Sequence, residues 1–134
     1  SQVLLENLKS KNVMILGSGS TVQLSLAAAK KLEEDNIGAI VVNQSQLNHF
    51  DVDFFRNVLK KTNGYWVISE DHQKIGGLGQ GLQAFLNENK IENSVIHLAV
   101  KGEFGQSAYT AEELYQKHGF STDHIVKAAR QLLL

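Results

Sequence analysis

The chain contains no cysteine. That absence removes disulfides, thiolate nucleophiles and cysteine-built zinc sites together, and it is compatible with a reducing cytosol. An excess of charge is also lacking: thirteen Lys and Arg against fourteen Asp and Glu leave a formal net charge of −1. With no polybasic stripe to neutralise an array of phosphates, neither nucleic acid nor a membrane surface is expected as a partner. No apolar run approaches the length needed to cross a bilayer, and the opening segment Ser1 to Glu6 has no basic stretch ahead of a signal-like apolar block. The expectation is therefore a soluble, cytoplasmic protein. Its first residue is Ser1 rather than methionine, directly before what reads as a strand, so an excised piece of a longer chain is expected.

Several chemistries lack their residues as well. The five histidines, His49, His72, His97, His118 and His124, form no HExxH and no spacing that sets two ligands on one helical face with a third to follow. Serines abound, yet no GxSxG elbow is present, because Gly105-Gln106-Ser107-Ala108 lacks the second glycine. Metal binding and serine hydrolase chemistry are both disfavoured.

What is present is enough for one domain over residues 1–134, with 43% apolar residues to build a core. Four β-rich apolar runs, Val13 to Leu16, Ala39 to Val42, Tyr65 to Ser69 and Val95 to Val100, are each followed by a polar or glycine break and then a helical pattern. The first helix is expected from about Thr21 to Asp35, with Ser20 or Thr21 as N-cap, Gly38 past its end, and Leu24, Ala27, Ala28 and Leu32 as its apolar stripe. Asp51 caps a second helix carrying Phe54, Phe55, Val58 and Leu59, which Asn63-Gly64 stops. A third carries Leu82, Phe85 and Leu86. Thr110 and Glu113 form a capping box for a short helix ending at His118-Gly119. Ser121 caps the last helix, whose stripe is Ile125, Val126, Ala129, Leu132 and Leu133. Strands joined by helices imply parallel pairing with right-handed crossovers, and so an α/β/α sandwich of three layers.

Two glycine-rich turns invite chemistry. Gly17-Ser18-Gly19-Ser20-Thr21 sits between a strand and a helix, where free N–H groups and the helix dipole favour an anion. Val22 stands where GxGxxG needs glycine, and the next strand ends in Asn43 rather than an acidic residue, so a tight structural turn is the favoured reading. Glu70-Asp71-His72, followed by Gly76-Gly77-Leu78-Gly79, could do acid–base work beside an anion nest. The favoured alternative is that Glu70 and Asp71 face water or cap the following turn, and that the glycines permit close packing. His97, between Ile96 and Leu98, is expected to be a partly buried, hydrogen-bonded imidazole. Phe104 and Tyr109 either cover the last helices or meet a partner surface.

The segments MILGSGST (from Met14), ISEDHQKIGGLG (from Ile68), IHLAV (from Ile96) and KGEFGQSAYTAEELYQKHGFSTDHIVKAARQLLL (from Lys101) resemble, in order, those of the C-terminal domain of transketolases of the mammalian or split prokaryotic type. The resemblance implies an antiparallel edge strand at Val3 to Leu5 and a strand order, counting that edge as one, of 1-3-2-4-5 in a five-stranded, mostly parallel sheet. It implies a parent enzyme that uses thiamine diphosphate and Mg²⁺ or Ca²⁺ to move a two-carbon ketol unit between sugar phosphates, in the pentose phosphate pathway. The partners implied are the N-terminal and middle domains and, for the parent, a homodimer. Catalytic, cofactor-binding and metal residues belong to those other domains, and none is assigned to this chain. Deoxyxylulose phosphate synthase and the beta subunit of 2-oxo acid dehydrogenases are the nearest alternatives, and the FGQSA loop with the ELYQKHGF segment favours transketolase over them. An alternative of another class is a free-standing anion-binding regulatory module.

Overall fold

A computed structural model describes residues 1–44, 49–73, 77–100 and 121–134, excepting the side chains of residues 71–73, 99 and 100. Five strands, β1 (Gln2–Asn7), β2 (Asn12–Gly17), β3 (Gly38–Asn43), β4 (Tyr65–Gln73) and β5 (Ser94–Val100), form one sheet in the order β1-β3-β2-β4-β5. β1 pairs antiparallel with β3, and the other pairings are parallel. Helices α1 (Thr21–Glu34), α2 (Val52–Thr62), α3 (Leu78–Glu88) and α4 (Thr122–Leu133) complete the described elements. The expected strand order and antiparallel edge are thus present.

Alternation along the strands divides the core in two. Val13, Ile15, Ala39, Val41 and Val67 face α1 and α4, whereas Met14, Leu16, Ile40, Val42, Trp66 and Ile68 face α2 and α3. Strands buried on both faces read as continuous apolar runs, which is why VMIL and AIVV were legible as strands. On the second face Phe55 packs against Trp66, Phe50, Phe54 and Phe85, with ring centroids 5.0 to 6.1 Å apart. The indole N–H of Trp66 donates to Thr62 Oγ1 at 2.7 Å, so the buried ring keeps its one polar group satisfied.

Helix ends follow local chemistry with two departures from expectation. Asp51 caps α2 by accepting from the N–H groups of Asp53 and Phe54, Asn63 ends it in the left-handed region, and Ser121 caps α4 by accepting from His124 N–H. At α1, by contrast, neither Ser20 nor Thr21 makes a side-chain cap, and the helix stops at Glu34 with Asn36 taking the positive φ of 59° that ends the turn. Gly38 is the first residue of β3 and is needed for close approach, because a Cβ there would lie 2.0 Å from Asn12 Oδ1 and 2.6 Å from the Asn7 carbonyl oxygen. Ala27 of the expected stripe faces solvent, and Ser25 takes the buried position by donating its hydroxyl to Thr21 O at 2.8 Å. On α4, Ile125, Val126 and Ala129 are buried along with Ala128, while Leu132 and Leu133 are half-buried against the same core. The Thr110 capping box, the FGQSA loop, Phe104, Tyr109, His118 and Gly76 lie outside the described residues.

Candidate functional site

Both glycine-rich turns lie at the C-terminal edge of the parallel strands, on neighbours, since Gly17 of β2 is in register with Ser69 of β4. In sheets of this kind that edge, at the point where the connections switch sides, is where ligands are usually received. β2 leads into α1 on one face and β4 into α3 on the other, so the switch falls between these two strands.

The β2 turn is closed on itself. Thr21 N–H donates to Ser18 O at 3.2 Å and Val22 N–H to Gly19 O at 3.3 Å, so donors that an anion would need are bound within the turn. The buried Thr21 hydroxyl accepts from Ser18 N–H at 3.0 Å and approaches the carbonyls of Ser18 at 2.8 Å and Ser69 at 2.6 Å. It thereby spans the crevice between β2 and β4. This geometry is that of a tight structural turn.

The β4 turn is built differently. Trp66 and Ile68 point to the α2/α3 face, and the period-2 alternation puts Glu70 on that same face, against the start of α3. By the same rule His97 shares the face of Val95 on β5, opposite to Ile96 and Leu98. The Glu70 side chain is fully buried. Its Oε1 accepts from Leu78 N–H at 3.0 Å, and its Oε2 from Gly79 N–H at 2.6 Å, while His97 Nε2 lies 2.6 Å from Oε2. Taking a carboxylate out of water is costly unless it is paired and hydrogen-bonded, and here two backbone donors, a helix N-terminus and an imidazole offset that cost. Gly79 is required for the arrangement, since a Cβ there would sit 2.2 to 2.5 Å from the His97 ring atoms.

Glu70 therefore does not face water; it caps α3 from the preceding strand. The expected hydrogen-bonded, partly buried His97 is present, with 12% of its side chain exposed. Asp71 and His72 continue β4 in the backbone, and their side chains lie outside the described residues. Of the proposed acid–base group, then, the structure brings Glu70 to a residue outside the motif, His97. Strand alternation is the signal in the sequence that pairs the two. His49 lines a small hollow with Ser1, Asp51 and Phe54, and His124 Nδ1 lies 2.6 Å from the Ser121 hydroxyl, both far along the chain from Glu70. Among the described residues no three His, Asp or Glu side chains gather in a manner that could hold a metal ion.

The family model described as the C-terminal domain of transketolase matches residues 3–125. The chain belongs to the transketolase C-terminal domain family. Within that family it is 32% identical over 133 residues to transketolase-like protein 1 of Macaca fascicularis, covering 98% of this chain and 22% of the relative. It is 27% identical over 117 residues to the putative transketolase C-terminal section of Methanocaldococcus jannaschii, covering 87% of this chain and 35% of the relative. A solved split-gene transketolase, described as an inactive beta4 tetramer, superposes with a TM-score of 0.82 at 30% identity over 96% of this chain and 42% of that one. The chain thus spans about a third or less of the curated transketolase relatives, and 1-deoxy-D-xylulose-5-phosphate synthases also match it.

Proposed function

We propose that the chain is the non-catalytic C-terminal domain of a thiamine-diphosphate-dependent transketolase, and that it serves domain packing and dimer assembly while the ketol transfer takes place elsewhere in the parent. The observation that carries this reading is the Glu70 carboxylate. It is fully buried, and both its oxygens are engaged, by the α3 N-terminus and by His97. A general base must reach the proton it removes, and this group has no face open to a substrate.

The parent cofactor does not fit the donors seen here. A diphosphate with its divalent cation needs anionic or carbonyl oxygens for the metal and free N–H groups for the phosphates. The described residues gather no metal-binding set, and four N–H groups at the two helix starts, those of Thr21, Val22, Leu78 and Gly79, are already bonded to Ser18, Gly19 and Glu70. In the parent the cofactor supplies the electron sink; on this reading the chain supplies packing surface.

The packing role is supported by β1. Val3, Leu4 and Leu5 of this edge strand, with Leu8 just past its end, are 37% to 44% exposed, and the strand has a register shift between Val3 and Leu5. Such shifts blunt an edge against indiscriminate strand pairing, which leaves side-chain contact as the means of docking a neighbouring domain. The similar split-gene chain is described as an inactive tetramer of its beta subunit, in keeping with assembly that does not require activity.

The test is turnover of xylulose 5-phosphate with ribose 5-phosphate, by the chain alone and after mixing with separately produced N-terminal and middle transketolase domains. The expected result is no turnover by the chain alone and turnover in the mixture that falls when Leu4→Lys and Leu5→Lys are introduced. Turnover by the chain alone would overturn the reading.

A further inference from the structure

No further inference is drawn: the strongest candidate, the two buried and unpartnered hydroxyls of Ser18 and Ser69 at the crevice between the C-terminal ends of β2 and β4, carries nothing, because it belongs to the closed turn already described, in which the Thr21 hydroxyl spans the crevice from Ser18 to Ser69.

Discussion

The two strand-to-helix turns at the C-terminal edge solve one problem in two ways. Each must satisfy backbone N–H groups at a helix start, beside a glycine that lets chain segments approach closely. The β2 turn does so with its own backbone and one neutral hydroxyl, that of Thr21, between Ser18 and Val22. The β4 turn does so with a charge, the Glu70 carboxylate, reaching eight and nine residues ahead to Leu78 and Gly79 and across to β5. The neutral solution ties the start of α1 to the end of β2 and, through one hydroxyl, to Ser69 of β4, whereas a buried carboxylate ties α3, β4 and β5 together. The second should be the more costly to disturb.

That ranking can be broken by substitution. Glu70→Ala leaves two N–H groups and an imidazole without their acceptor in the core, and removing one partner of a buried pair typically costs about 3–5 kcal/mol. Urea denaturation should show a correspondingly lower midpoint; a shift equivalent to less than about 1 kcal/mol would mean that water or another group replaces the carboxylate freely. Next in size is Gly79→Ala, where the added methyl must displace the His97 ring, an overpacking cost of about 1–3 kcal/mol. Because the clash is with one side chain, the penalty should shrink in a His97→Ala background. An undiminished penalty in that double-mutant cycle would place the strain elsewhere. Thr21→Val keeps the shape and deletes the hydroxyl, leaving Ser18 N–H unpaired for about 1 kcal/mol. A loss as large as that of Glu70→Ala would contradict the ranking of the two turns.

The smallest expected effect comes from the surface. A hydrogen bond from Lys31 and the charge of that ammonium hold the Asp123 carboxyl below its ordinary value. A depressed carboxylate contributes stability that is present above its unfolded-state pKa and is lost as pH falls through the lower folded-state value. Both side chains are exposed, at 52% and 71%, so screening keeps the contribution small. Asp123→Asn should therefore leave the midpoint nearly unchanged at neutral pH and flatten only the acid limb of the stability profile; a marked loss at pH 7 would show that the pair does more than join two helix surfaces.

Much of the fold was legible because burial on both faces writes itself as apolar runs and because caps are local. Asp51, Asn63 and Ser121 each act within a few residues of where they stand, and such signals survive in one dimension. Strand order was not legible in periodicity and came with the family resemblance. The site was read less completely. A carboxylate that caps a helix eight residues ahead, with its partner 27 residues away on another strand, has no fixed spacing to search for. Alternation places Glu70 and His97 on one face, yet only the pairing of β4 with β5 brings them together. Ser20 does stand at the N-cap position of α1, but without a side-chain cap bond, and the Thr21 hydroxyl is turned instead toward Ser69, a residue 48 positions away.

The central claim is that Glu70 is committed to the interior, from which we propose that the chain by itself does not bind the cofactor. Isothermal titration of the purified chain with thiamine diphosphate and Mg²⁺ tests it most directly. No saturable heat is expected, and Glu70→Gln should leave the trace unchanged. Saturable binding near micromolar, about −8 kcal/mol, that disappears in Glu70→Gln would contradict the account and make Glu70 part of a binding site.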